Sequence, residues 1–234
     1  ALLGIDLIRP EKQDWKPDFK VIGDLFRLGI PVAFQNGIIA AGGLIMQYVI
    51  NGFGFIFVAG ITAGNKLYGL LEQAGVSVGN AVATYAGQNL GAGKVDRVSK
   101  GYRRSCLLGV IFRLLMCAMM FLWGEDFVGL FVDDATVIAI GGRAVQITSL
   151  FYIPLGMIYI ARSLLNGAGD SVFAFISGLA EVAGRIGFSI GLSAIPALGY
   201  WAVWYTTGLT WLITGIVCMV RYAQGKWKKI VLTD

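Results

Sequence analysis

Two carboxylates lie inside stretches of sequence that are otherwise apolar, and each could bind a cation. Glu72 has Asn65 and Lys66 near it in the chain, and Glu181 is followed by Arg185 at the i+4 position. A charged side chain in hydrocarbon costs about 2.5–3.5 kcal/mol on insertion scales, so each carboxylate needs a partner or a water-filled cavity. The functional interpretation is a site for a proton or Na⁺.

The structural alternative is an ion pair that ties two helices together. Arg185 shares a helix face with Glu181, and Arg162 lies within plausible reach of Glu181 from the neighbouring helix. For Glu181 we favour the ion pair, with Arg162 or Arg185 as its partner. For Glu72 both interpretations stay open, because Lys66 is not at i±3 or i±4. Two further arginines, Arg113 and Arg143, are expected at membrane ends or helix surfaces.

Six apolar stretches, each long enough to cross a bilayer, must position these groups. A transmembrane helix needs about 20 mostly apolar residues, and this chain is 56% hydrophobic and only 14% charged. The sequence therefore predicts an all-α integral membrane protein. The predicted segments are a linker or interfacial segment over 1–27, a six-helix lobe over 28–222 with spans 28–50, 55–84, 103–123, 137–163, 172–195 and 199–222, and a tail over 223–234.

The Lys and Arg residues are segregated by topology. Most of them precede the first predicted span, fill the loop between the second and third spans, or follow the sixth span, whereas the loops 51–54, 124–136 and 196–199 contain none. Cytoplasmic loops attract basic residues, so both ends are predicted to be cytoplasmic. The net charge of +5 thus reflects membrane topology, and no nucleic-acid partner is expected.

Composition also argues against catalysis. The chain has three cysteines and no histidine, and no Cys/His spacing typical of a metal site. It shows no nucleophile–base pair and no nucleotide-binding loop. We therefore expect no enzyme activity, no catalytic residue, no metal and no cofactor.

Glycine and proline mark expected helix contacts and breaks. Three small-xxx-small pairs predict close helix packing, and they are Gly60 with Gly64, Gly75 with Gly79, and Gly187 with Gly191. Pro31 is expected in the first turn of span one. Pro154 predicts a kink in span four, which is either a hinge at a binding site or a plain structural bend.

Several motifs, in their order along the chain, resemble those of a known protein family. The series is Gly29-Ile-Pro31, Asn51-Gly-Phe-Gly54, Ala83-Thr-Tyr-Ala-Gly-Gln-Asn-Leu-Gly-Ala-Gly93 with Asp96-Arg97, Arg162-Ser-Leu-Leu-Asn-Gly-Ala-Gly169, and Ser177-Gly-Leu-Ala-Glu181-Val-Ala-Gly-Arg185. Together these motifs resemble the C-terminal half (spans seven to twelve) of the multidrug and toxic compound extrusion (MATE) family of bacterial transporters. The resemblance covers nearly the whole chain.

The resemblance implies a twelve-helix protein of the bacterial inner membrane, built from two six-helix lobes around a central cavity. Alternating access would export organic cations or other amphiphiles in exchange for Na⁺ or H⁺. An N-terminal six-helix lobe would then be the missing partner of this chain. The predicted topology fits, because a six-span half with both ends inside repeats without inversion.

The chain departs from the family pattern in its acidic residues. Some members place coupling carboxylates in the spans that match the first and fourth here, but span one offers only the polar residues Gln35, Asn36 and Gln47, and span four has no acid before Asp170. Other members place the key aspartate in the N-terminal lobe. Either Glu72 and Glu181 take the coupling role here, or the coupling site lies in the missing lobe.

Three functions remain open. The leading hypothesis is half of a secondary multidrug antiporter, whose cavity would use aromatic faces to attract flat cations and whose candidate lining residues are Gln35, Asn36, Gln47, Asn65, Tyr152 and Pro154. The second is a flippase for lipid-linked sugars, which a basic cavity with Arg162 and Arg185 would favour. The third is a membrane fragment that does not transport on its own.

Overall fold

The computed structural model describes residues 16–229, which form helices joined by short turns. The helices are α1 (Phe19–Asn51), α2 (Phe55–Gly91), α3 (Val95–Gly129), α4 (Ala135–Ser149), α5 (Tyr152–Gly167), α6 (Ser171–Ser193) and α7 (Ala202–Ala223), with 3₁₀ turns at Pro196–Trp201 and Lys226–Lys229. No strand occurs among the described residues. The predicted all-α membrane fold is confirmed.

Helix α1 begins well before the predicted first span. The Asp18 carboxylate accepts hydrogen bonds from the backbone amides of Lys20 and Val21 at 2.9 and 3.2 Å, and this N-cap starts the helix at Phe19. Residues 19–27 are therefore helical and continuous with α1, their position at the membrane surface stays a prediction, and residues 1–15 lie outside the described residues. Pro31 consequently lies inside the helix and not in its first turn.

The fourth predicted span is broken into two helices. α4 and α5 meet at an angle of 55° and together are long and apolar enough to cross a membrane. Pro154 lies in the first turn of α5 and has no N–H to donate to the carbonyl of Leu150, four residues earlier. The helix therefore breaks at Leu150–Phe151, because its series of backbone hydrogen bonds cannot continue there.

Four single helices and this bent pair have the length and apolarity of membrane spans: α1, α3, α6 and α7 with its 3₁₀ turn, together with α4–α5. α2 is 37 residues long but is not among them, because glycines and polar residues lower its mean hydropathy. α2 instead packs between α3, α4 and α5. The chain is a multi-pass membrane protein.

Two of the three predicted glycine pairs lie at helix contacts. Gly60 and Gly64 face Ile140 and Val145 of α4, while Gly75 and Gly79 face α5 and a side chain of α3. The third pair makes no such contact within the described residues, since a Cβ at Gly187 or Gly191 would meet no described atom within 4 Å. Helix α6 uses other glycines for its contacts: Gly178 packs on Gln35 of α1, and Gly184 packs on Thr210 of α7.

The core forms three layers along the helix axes. One layer, around Leu164 and Trp227, lies at the end of the lobe that carries the basic loops, and the middle layer surrounds Tyr152 and Trp211. The third layer, around Phe57 and Trp204, lies at the opposite end and continues into an aromatic cluster with Tyr200. Such clusters suit the bilayer interface, where amphipathic rings meet the headgroups.

Candidate functional site

A cavity of about 590 Å³ opens between α1, α2, α4, α5, α6 and α7. It exists because α1 packs on α6 and makes few contacts with α2, which leaves space between these two helices. Apolar side chains make up most of the exposed wall, and twelve polar side chains also line the cavity. Those side chains are Asn36, Gln47, Asn65, Tyr68, Glu72, Thr148, Tyr152, Tyr159, Arg162, Glu181, Arg185 and Thr207.

Glu181 lies between two arginines on the α6 side of the cavity. Its Oε2 accepts a hydrogen bond from Nη2 of Arg162 at 2.8 Å, and its Oε1 accepts one from Nη2 of Arg185 at 3.0 Å. Glu181 is only 4% exposed. Both partners considered from the sequence are therefore used, and the three side chains carry a net charge of +1. Two charge-assisted hydrogen bonds fix the position of this carboxylate.

Glu72 has a different environment on the α2 side of the cavity. The hydroxyl of Tyr159 on α5 donates a hydrogen bond to Glu72 Oε1, and no cation forms an ion pair with Glu72 in the part of the chain that the structure describes. One turn before Glu72, the ring of Tyr68 stacks on Trp211 of α7 with centroids 5.6 Å apart. A carboxylate beside stacked aromatic faces is a favourable environment for an organic cation.

Eight of the predicted site residues line this one cavity, and three lie elsewhere. Those in the cavity are Asn36, Gln47, Asn65, Glu72, Tyr152, Arg162, Glu181 and Arg185. Gln35 is instead buried between α1 and α6, where its Nε2 donates to Ser177 Oγ at 2.5 Å. Pro154 packs against Gly215 of α7. Lys66 is exposed and forms no ion pair within residues 16–229, so it is not the partner of Glu72.

Sequence reasoning missed four residues at or behind the cavity. Tyr68, Tyr159 and Trp211 line it, and helical spacing offered a signal for Tyr68, which lies at i−4 from Glu72. Arg113 of α3 was expected at a membrane end or helix surface, and that expectation is wrong because the residue is 4% exposed. Arg113 is buried by the helices that pack against α3, and no residue pattern within α3 predicts that packing.

The charges are therefore divided across the cavity. The α6 side carries the net positive cluster of Arg162, Glu181 and Arg185, and the α2 side carries Glu72. A cation that enters can form an ion pair with Glu72 without displacing a protein cation, whereas at Glu181 it would have to displace an arginine. Of the two carboxylates, Glu72 is the one that no cation of the described residues neutralises.

Comparison with known proteins places this architecture in one family. The family model described as MatE matches residues 31–190, which is more than half of the chain. A curated relative, the probable multidrug resistance protein YpnP of Bacillus subtilis, is 25% identical over 209 residues, a stretch that covers 89% of this chain and 46% of YpnP. The chain spans about half the length of the curated relatives it matches.

Solved structures show the same fold. A crystal structure of MATE in complex with MaL6 superposes with a TM-score of 0.83 at 17% identity and covers 95% of this chain and 51% of that one. The Vibrio cholerae MATE transporter VcmN superposes with a TM-score of 0.84 at 15% identity, over 97% of this chain and 52% of VcmN. With the match of the family model and this shared fold, the chain belongs to the MATE family.

Proposed function

We propose that this chain forms one six-helix lobe of a secondary active multidrug exporter. Its family membership and the names of its relatives, which describe multidrug resistance proteins, support drug efflux. Its length, about half that of those relatives, supports a second lobe as its partner. In this proposal the cavity becomes half of a central chamber that opens alternately to the two sides of the membrane.

The observation that carries the proposal is the placement of Glu72. This carboxylate lies in the cavity wall, accepts a hydrogen bond from Tyr159 and has the stacked rings of Tyr68 and Trp211 beside it. Apolar walls with a few placed polar groups are typical of small-molecule sites. An amphiphilic cation would gain aromatic contact and charge neutralisation at the same place.

Exchange of the drug for the ion follows if the same carboxylate binds both of them. A proton or Na⁺ at Glu72 neutralises the charge that attracts the organic cation, so the two ligands compete. Inward flow of the ion then drives outward release of the drug. In this scheme Glu181 is structural, because two arginines already neutralise it.

The setting of the exporter is also part of the proposal. The distribution of Lys and Arg supports cytoplasmic positions for both ends of the chain in the bacterial inner membrane. Lipid would contact the exposed apolar side chains of α3, such as Leu107, Leu114 and Leu122.

Transport in vesicles tests the proposal. The full-length protein is reconstituted with a fluorescent organic cation, and efflux is driven by a Na⁺ gradient or by a pH gradient. We expect one of the two gradients to drive efflux, and Glu72→Gln to abolish it while the protein stays folded. Undiminished efflux by the Glu72→Gln variant would refute the role of this carboxylate.

A flippase for lipid-linked sugars is a second candidate. The observation that favours it is the positive cluster on the α6 side, where the buried Nε atoms of Arg162 and Arg185 have no hydrogen-bond partner among the described residues. An anionic phosphate could bind there. Movement of a lipid-linked precursor, with no movement of the cationic dye, would identify this function. If neither moves with the chain alone, the third hypothesis of an inactive fragment holds.

A further inference from the structure

A buried arginine behind the cavity wall has no role in the function proposed so far. Arg113 lies in the middle of α3, is 4% exposed, and forms no ion pair with any carboxylate in residues 16–229. A charge buried without compensation is strongly unfavourable. Something near Arg113 must therefore stabilise its charge.

The packing shows which groups surround the guanidinium. Arg113 lies in a slot made by two glycines, because a Cβ at Gly75 would collide with its Nη2 and a Cβ at Gly156 would come within 3.2 Å of its Nε. Gly75 is at i+3 from Glu72 on α2, and Gly156 is at i−3 from Tyr159 on α5. Residues three apart share a helix face, so both glycines direct Arg113 towards the Glu72–Tyr159 contact.

Tyr159 connects the two charges. Its ring lies under the guanidinium, with Arg113 Cζ 5.9 Å from the ring centroid, and its hydroxyl donates to Glu72. Tyr159 lines both the main cavity and a second groove of about 260 Å³ in which Arg113 lies. The carboxylate thus contacts the hydroxyl of Tyr159, and the guanidinium lies over the face of its ring.

We propose that Arg113 is a positioning residue for Glu72: through Tyr159 its charge orients the carboxylate towards the tyrosine hydroxyl and opposes the binding of a cation there. This inference rests on the proposed function of Glu72 as the cation receptor. Any cation that binds Glu72 weakens the attraction between Glu72 and Arg113. Arg113 therefore limits the affinity of the site and favours release, as a transporter requires for turnover.

Other charged and titratable groups around Glu72 must be considered in a test by pH. They are Tyr68 on α2, Tyr152, Tyr159 and Arg162 on α5, Glu181 and Arg185 on α6, and Arg113 on α3, whereas α1, α4 and α7 contribute no titratable side chain to the cavity. Arg162 and Arg185 are bound to Glu181. Among the arginines in this set, Arg113 is thus the one that forms no ion pair with a carboxylate of residues 16–229.

The test follows the proton on Glu72 by infrared spectroscopy of the purified full-length protein. The carboxyl band that disappears in the Glu72→Gln variant reports this residue alone. Arg113→Met should raise the proton affinity of Glu72 at least about tenfold, so that its band persists about one pH unit higher. Arg113→Lys, which retains the charge, should restore most of the wild-type behaviour. The control is Arg143→Met, which removes an exposed arginine on α4 and should change nothing.

A rise in the proton affinity of Glu72 of less than about tenfold in Arg113→Met overturns the inference. If that variant does not fold, Arg113→Gln replaces it with a neutral polar side chain and is judged by the same criterion. Binding of tetraphenylphosphonium is measured separately on the same protein. An infrared shift without such binding would refute the exporter and leave the role of Arg113 intact, and binding without a shift would refute the role of Arg113 alone.

Discussion

Asp170 and Arg221, which are 51 residues apart in sequence, form a two-point ion pair at the basic end of the lobe. Arg221 donates from Nε to Oδ2 at 2.7 Å and from Nη2 to Oδ1 at 2.9 Å, and Asp170 is only 4% exposed. The guanidinium also lies over the ring of Phe173, 5.7 Å from its centroid. This contact fastens the start of α6 to the end of α7, next to the core layer around Trp227.

Loss of this ion pair should destabilise the lobe without changing its cavity. Hydrogen bonds to charged groups contribute about 1.5–3 kcal/mol, so Asp170→Asn should lower the free energy of unfolding in detergent by about 2 kcal/mol. The control Asp133→Asn, at an exposed aspartate in the loop before α4, should have little effect. Equal stability of the two variants would show that the Asp170–Arg221 contact is not stabilising.

Glu181 should behave as a structural residue. Glu181→Gln leaves Arg162 and Arg185 without a carboxylate, which costs about 3 kcal/mol for a buried pair, so the yield of folded protein in the membrane should fall. Removing one of the two charges with Arg162→Met should restore part of that yield. The exposed Glu125 supplies the control as Glu125→Gln. A Glu181→Gln protein of normal yield that has lost all ion-driven efflux would instead assign the coupling role to Glu181.

Gly167 of α5 lies so close to the backbone of α2 that no side chain should fit there. A Cβ there would lie 2.7 Å from the carbonyl carbon of Ala83, which is backbone and cannot rotate away. Gly167→Ala should therefore lower the melting temperature in detergent, at a cost of at least about 1–3 kcal/mol. Gly187→Ala is the matched substitution in open space. Equal melting temperatures of the two variants would show that α2 and α5 leave room for a Cβ at Gly167.

The sequence predicted the fold well because lipid constrains membrane helices strongly. Long apolar stretches and segregated basic residues can be recognised in the sequence without knowledge of the packing. Pro154 likewise predicted the break between α4 and α5. The start of α1 was missed because the Asp18 cap acts locally, ahead of the apolar pattern. The Gly187 and Gly191 pair contacts no described residue, because a small-residue motif does not specify which face of α6 meets a neighbour within this chain.

The cavity was only partly predictable for a similar reason. Polar residues inside spans pointed to Glu72 and Glu181, and the i+4 rule pointed to Arg185. Gln35 is also a polar residue inside a span, yet it contacts Ser177 between α1 and α6 and does not line the cavity. The sequence of α1 alone does not show which of its faces packs against another helix and which lines the cavity. Arg113 and Tyr159 meet through helices that are distant in sequence, so no spacing rule could join them to Glu72.

Equilibrium binding of an organic cation is the most direct test of the central claim that Glu72 is the cation receptor. Tetraphenylphosphonium is titrated into the full-length protein, its Glu72→Gln variant and the Glu125→Gln control. We expect a Kd at least about tenfold higher for Glu72→Gln, which is a loss of about 1.4 kcal/mol, and an unchanged Kd for the control. Equal affinity of the wild-type and Glu72→Gln proteins would show that Glu72 does not bind the cation.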